Sequence, residues 1–337
     1  MSRPHPRNPL RHLDLSRAAY TLSRMDTPTP AEPAIPPSSN PLSPSAQKAP
    51  RPWYKKLIPE KWFDKGPLIP VLRFEGTIGA VTPLRPGLSL SATAGAIEKA
   101  FTMKGAKAVA IQINSPGGSP VQSTLIFKRL RALAEENDLK VYVFAEDVAA
   151  SGGYLLALAG DEIYAEESSI VGSIGVITAS FGFHELINRL GIERRVITAG
   201  ENKTTLDAFK PEKPEDVERI KAIQRDVHAA FTDLVKARRG AKIEAQGEHL
   251  FTGEFWSGKR AAELGLIDGL SDLRSRMREI YGEDVRFKLV QAKTSWFRKK
   301  PHVGAEGLSA LRDLPQGLAG DVISALEARS LWSRFGF

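Results

Sequence analysis

The stretch AVAIQINSPGGSPVQSTLIFKRLRALAEENDLKVYVFAE (108–146) decides the fold. AVAIQIN (108–114) is a short, mostly apolar run and reads as a buried strand. VQSTLIFKRLRALAEE (121–136) has the spacing of a helix, with Leu125, Leu130 and Leu133 turned toward one face. VYVFAE (141–146) is a second buried strand. Two such strands joined through one helix form a βαβ unit, and that connection makes them parallel.

The same alternation continues on both sides. LIPVLRFEG (68–76) reads as a strand and 91–103 as a helix. Beyond the unit, 151–159 reads as a helix, EIYAE (162–166) and GVITA (175–179) as short strands, and FHELINRLG (183–191) as a helix ended by Gly191. RRVITAG (194–200) reads as a strand, and 213–238 as a long helix opened by Pro214. Strands alternating with helices imply an α/β fold with a layered parallel sheet and flanking helices.

This pattern occupies residues 67–291, the expected folded domain. Residues 1–66 form a Pro-rich tail and linker: 9 of the 23 prolines fall within 28–52, where they fix φ and remove donors. The first 25 residues are Arg-rich. They have the composition of a transit peptide, but a disordered tail or a true start at Met25 is the preferred reading. RPWYKKLIPEKWF (51–63) alternates aromatics with lysines and suits either an anionic membrane surface or the domain edge. Residues 292–337 read as a peripheral tail.

Composition narrows the function. The 337 residues hold no cysteine, which excludes thiolate nucleophiles, disulfides and zinc–thiolate sites. The net charge of +8 lies mostly in residues 1–66, so the domain itself is nearly neutral and shows no basic face for nucleic acid. No apolar run reaches the roughly 18–20 residues of a membrane-spanning helix, and no secretory signal is visible. The expected location is cytoplasmic, with peripheral membrane contact available through 51–63.

Three glycine-bearing turns follow the buried strands. INSPGGS (113–119) contains Gly117 and Gly118, whose bare backbone can approach a ligand and donate N–H groups. In EDVAASGGYLLALAG (146–160), Ser151 stands where a strand ends and a helix begins, beside Gly152. A helix N-terminus carries unpaired N–H groups and partial positive charge. Gly152 and the 117–118 turn therefore supply the parts of an oxyanion hole around a serine hydroxyl. The alternative for Ser151 is a plain helix cap. The third turn is VGSIG (171–175).

A serine nucleophile needs a base. Of His5, His12, His184, His228, His249 and His302, the first two and the last lie outside the expected core; His184 opens a helix and could serve, but a surface or capping role suits it better. Lys203, in the loop TAGENKT after 194–200, is the alternative, since burial makes a lysine lose its proton easily. Ala149 stands where the nucleophile elbow of an α/β-hydrolase needs its first glycine, which argues against an esterase.

DVAASGGY, INSPGG, SSIVGSIGV, AGENK and FTGEFWSGKRAAELGLIDGL together resemble the signal peptide peptidase A (SppA) family of Ser-Lys peptidases, within the wider ClpP/crotonase superfamily. The resemblance covers about residues 68–290. It implies a ClpP/crotonase-like fold, with Ser151 as nucleophile and Lys203 as general base. Ser173 would orient the lysine, and the N–H groups of Gly118 and Gly152 would form the oxyanion hole. It also implies ring-like homo-oligomers whose serine and lysine come from neighbouring subunits.

The expected activity is endopeptidase cleavage of small, unfolded or signal-type peptides through an acyl-enzyme, with no metal or other cofactor. Val148, Tyr154 and Ile177 are the candidate pocket residues, and an apolar preference is expected. Many family members carry an N-terminal membrane anchor, and the Pro-rich tail here departs from that pattern. A crotonase-type acyl-CoA enzyme and a non-catalytic oligomeric scaffold are the competing readings.

Overall fold

The computed structural model describes residues 66–79, 87–291 and 329–336. The readings made for 1–65 and for 292–328 lie outside these residues. The described residues belong to one compact unit, Phe63–Phe337.

The βαβ reading is realised as β1 (Leu68–Glu75), α1 (Leu90–Phe101), β2 (Ala108–Ser115), α2 (Pro120–Glu136) and β3 (Lys140–Ala150). α1 starts where Ser89 accepts the Ala92 N–H. α2 starts where Ser119 accepts the Gln122 N–H, with Pro120 in its first turn. After β3 come α3 (Gly152–Ala157), β4 (Glu162–Ala165), β5 (Ile170–Gly172), α4 (His184–Arg189) and α5 (Pro214–Arg239). Then follow α6 (Ala241–Glu244), a 3-10 turn (Gly247–Phe251), β6 (Phe255–Ser257) and α7 (Gly258–Glu263). β7 (Gly269–Leu270), α8 (Leu273–Tyr281) and β8 (Arg286–Leu289) complete the order.

The sheet runs β6-β5-β3-β2-β1-β8, with β4 and β7 branching from the lower half of β3. Every pairing is parallel except β5 with β6. The expected layered α/β architecture with a largely parallel sheet is therefore present. Because successive side chains alternate across a strand, each strand feeds two cores. Val109, Ile111 and Ile113 of β2 join Val141, Val143 and Ala145 of β3 beneath α1, α2, α3 and α5. Ala108, Ala110, Tyr142 and Phe144 face the other way, where Leu273 and Met277 of α8 cover them. In α2 it is Ile126, Phe127, Leu130 and Leu133 that enter the first core. Leu125, expected on that face, is exposed.

Two further expectations are overturned. GVITA (175–179) forms no strand: the strand ends at Gly172, and the chain then leaves the sheet. RRVITAG (194–200) is also not a strand. Both lie in an arm (173–213) that projects from between β5 and α5. Its Ile177, Phe181, Leu190 and Ile197 side chains are exposed. The arm folds on itself through tilted ring contacts, Phe181 to Phe183 at 6.2 Å and Phe183 to Phe209 at 5.7 Å.

β3 is interrupted once. Its register with β2 jumps from Ile113↔Ala145 to Ser115↔Ala149. Extra residues on one strand bend it and increase its twist. Asn114 holds the bend, its Oδ1 accepting the Val148 N–H at 3.2 Å and its Nδ2 donating to Asp147 at 2.7 Å. The bend swings 148–150 away from β4 and onto β5. On the far side, Val148 and Ala150 pack against Phe335 from the end of the chain.

Candidate active site

The bent end of β3 delivers Ser151. Its backbone takes φ 52° and ψ −121°, a region that non-glycine residues avoid at a cost of about 1–3 kcal/mol. The Ser151 N–H donates to the Gly172 carbonyl at 2.8 Å, and its carbonyl accepts the Leu155 N–H at 2.9 Å. Although Ser151 stands at the cap position of α3, its side chain makes no capping hydrogen bond. The simple helix-cap alternative is thereby set aside, and the hydroxyl is left available.

The 115–119 turn lies against this serine. Ser115 donates to the Gly76 carbonyl at 2.6 Å, Gly117 accepts from Ile78, and Ser119 donates back to Ile78. Side chains cannot be added here. A Cβ on Gly117 would stand 2.8 Å from both the Ser151 Cβ and the Gly152 nitrogen, and one on Gly118 would stand 2.1 Å from the Ile78 oxygen. A Cβ on Gly152 would stand 2.5 Å from the Ser123 Oγ and 3.3 Å from the Gly118 nitrogen. The Gly118 and Gly152 nitrogens are thus neighbours at the starts of α2 and α3. Among the described residues neither N–H donates to a backbone carbonyl. Two helix N-termini meeting at one hydroxyl favour developing negative charge there.

The structure brings Ser151, Gly118 and Gly152 together, with Ser173 nearby. Ser173 is buried at φ 54°, directly after the Gly172 that pairs with β3, and donates its N–H to the Glu254 carbonyl at 2.7 Å. It does not bring Lys203 to them. Lys203 is exposed on a turn of the projecting arm and does not line the cavity at Ser151. His184 begins α4 on that same arm.

A cavity of about 400 Å³ opens beside Ser151, Gly118 and Gly152. Val121, Thr124, Phe127 and Lys128 of α2 form one wall. Val227, Ala230, Phe231 and Leu234 of α5 form the other, with Leu155 and Val176 between. None of the three residues expected to line a pocket, Val148, Tyr154 and Ile177, lines this cavity. Val148 is buried against Phe335. Tyr154 is buried and donates to the Leu266 carbonyl at 2.7 Å, and burial pushes its phenol pKa up. Ile177 is exposed on the arm. The signal for this cavity's lining was the 227, 230, 231, 234 spacing in the long helix, which marks one helical stripe. A second cavity of about 310 Å³ shares Gly175 and Val176 with the first and is lined by Arg225 and His228. The His228 Nε2 is buried without a hydrogen-bond partner.

Sequence comparison points to a family. Residues 134–282 match the profile described as peptidase family S49. The chain is 32% identical over 261 residues to the chloroplastic serine protease SPPA of Arabidopsis thaliana, covering 76% of this chain and 37% of that one. It is 26% identical over 201 residues to the protein named "Probable protease SohB" in Haemophilus influenzae, covering 58% and 56%. It is also 53% identical over 285 residues to a protein of Brucella abortus named Na(+)/H(+) antiporter NhaA, covering 84% of this chain and 39% of that relative. The chain thus spans well under half the length of that relative, whose name describes a much longer protein. Among the described residues no helix is long and apolar enough to cross a membrane. The serine turn, its two glycine partners and these matches lead to one conclusion: the chain belongs to peptidase family S49, the family of signal peptide peptidase A.

Proposed function

We propose that the protein is a serine endopeptidase that cleaves small or unfolded peptides through a Ser-Lys dyad, with Lys203 supplied by a second copy of the chain. The observation that carries this reading is the Ser151 hydroxyl. It is uncapped, on a strained turn, between the free N–H groups of Gly118 and Gly152 and at the mouth of an apolar cavity. A neutral lysine takes the serine proton as the oxygen attacks a peptide carbonyl. The developing oxyanion is held by the two N–H groups. The lysinium then protonates the leaving amine, and water releases the acyl group.

Two features support a shared site. Lys203 stands outside the Ser151 cavity of its own chain, and the arm that carries it exposes a run of large apolar side chains. Such a surface is costly in water and suits a second subunit. Ser173, buried beside the serine strand, would orient the arriving lysine amine.

The test is hydrolysis of casein and a short apolar peptide by wild type, Ser151→Ala, Lys203→Ala and His184→Ala. Activity lost in the first two variants and kept in the third supports the dyad. Activity lost in His184→Ala and kept in Lys203→Ala replaces it with a Ser-His pair. A wild-type oligomer that cleaves nothing overturns the peptidase reading in favour of an acyl-CoA enzyme or a scaffold.

A further inference from the structure

The cavity at Ser151 is apolar along both helical walls, yet one cation lines it. Lys128 lies on α2 seven residues after Val121, two turns and about 10 Å farther along the helix axis. Val121 follows closely on Gly118, so the oxyanion turn and Lys128 mark opposite ends of one helical wall. Helical side chains lean toward the helix N-terminus, which tips Lys128 back over the cavity. Among the described residues Lys128 has no hydrogen bond or ion pair, and no carboxylate lines this cavity. The adjoining cavity adds Arg225, so the positive sign extends past Gly175.

We propose that Lys128 is a specificity-determining residue that selects substrates whose pocket-filling side chain is a glutamate. A glutamate has the matching shape. Its methylenes lie along Phe127, Phe231 and Leu234, and its carboxylate meets the ammonium group at the far end. A leucine offers the ammonium group nothing to pair with, and a lysine or arginine would set two cations against each other. The inference rests on the peptidase reading and names the substrate class of that same site.

The test uses fluorogenic peptides that differ only in the residue whose carbonyl is attacked: Leu, Gln, Glu or Lys. Each is made with an acid and an amide carboxy terminus. Wild type, Lys128→Gln and Lys128→Glu full-length chains are compared. The expected result is that wild type prefers Glu to Gln by about tenfold in kcat/KM. Lys128→Gln removes that preference, and Lys128→Glu turns it toward Lys. A preference that follows the carboxy terminus rather than the side chain overturns the proposal. So does a Lys128→Gln loss that is equal for all four peptides, which would place the lysine in the chemistry. Calorimetry with Ser151→Ala and the Glu and Gln peptides separates the two readings. If Glu-selective binding depends on Lys128 while wild type cleaves nothing, the peptidase reading fails and the selectivity stands. If Ser151→Ala binds Glu and Gln alike, the selectivity fails.

Discussion

The Ser151 N–H reaches the Gly172 carbonyl at 2.8 Å, and this bond fixes a serine backbone at φ 52° against the neighbouring strand. Positive φ is free for glycine and strained for serine. Ser151→Gly is therefore expected to abolish hydrolysis while raising stability by about 1 kcal/mol, a gain of a few degrees in Tm. Ser151→Ala is expected to abolish hydrolysis with Tm unchanged. Calorimetric melting of the two variants checks this. A Ser151→Gly protein that melts lower than Ser151→Ala removes the claim of strain.

Gly152 offers a paired test. Its missing Cβ would collide with the Ser123 Oγ at 2.5 Å. Gly152→Ala is expected to displace one N–H donor and lower kcat by about 10²–10³-fold. Adding Ser123→Ala removes the colliding oxygen and is expected to restore part of that loss. The readout is kcat for the single and double variants. No recovery in the double variant means that the collision is not what limits Gly152→Ala.

Asn114 never touches the reacting atoms, but its side chain pins the bend of β3 at Val148 and Asp147. Asn114→Ala is expected to lower kcat about tenfold and to cost about 1–2 kcal/mol of stability, with KM little changed. A fall in stability without any fall in kcat would show that the bend survives without its clamp.

Mixing inactive variants tests the shared site. If Ser151 and Lys203 come from different subunits, Ser151→Ala and Lys203→Ala chains mixed and allowed to exchange are expected to regain about a quarter to a half of wild-type activity, since some interfaces then join an intact serine to an intact lysine. Activity that stays at the level of the separate variants assigns both groups to one chain.

Asp268 predicts the acid limit of stability. Burial pushes its carboxyl pKa up, but hydrogen bonds from Arg239 and Lys242 outweigh burial and hold it below the usual carboxylate range. A group whose folded pKa is depressed stabilises the fold above its unfolded pKa, near 4, and that stability is lost as pH falls through the folded value. Wild type is thus expected to lose stability steadily below about pH 4. Asp268→Asn is expected to be less stable at neutral pH and flatter in that window. Urea midpoints from pH 2.5 to 7 check it.

Where residues are buried on both faces of the sheet, the sequence spoke clearly. AVAIQIN and VYVFAE are apolar except at Gln112, Asn114 and Glu146, because neither face of β2 or β3 meets water along most of its length, and those three polar positions are the half-buried ones. GVITA and RRVITAG have the same branched residues and form no strand. Strand preference is realised only against a pairing neighbour, and Ile197 has none: it is fully exposed. The glycines at 117, 118 and 152 showed through because contacts of 2–3 Å permit nothing larger. The cavity did not, because its walls come from α2 and α5, some hundred residues apart. Each helix shows its own stripe, but only the topology says which stripes face each other. The bend at Asn114 was likewise hidden, since nothing local distinguishes a clamp from any other asparagine beside a turn.

α2 is one unbroken helix of 17 residues, with Gly118 and Ser119 just before its first turn and Lys128 farther along it. Whatever fills the groove between α2 and α5 therefore leans on the same lever that aims an N–H at Ser151. A poorly fitting side chain would tilt that lever and misaim the donor even when the peptide stays bound. Discrimination between substrates is then expected in how fast a seated peptide is cut as well as in how tightly it sits. Inhibitors that wedge the groove open would silence the serine without touching it.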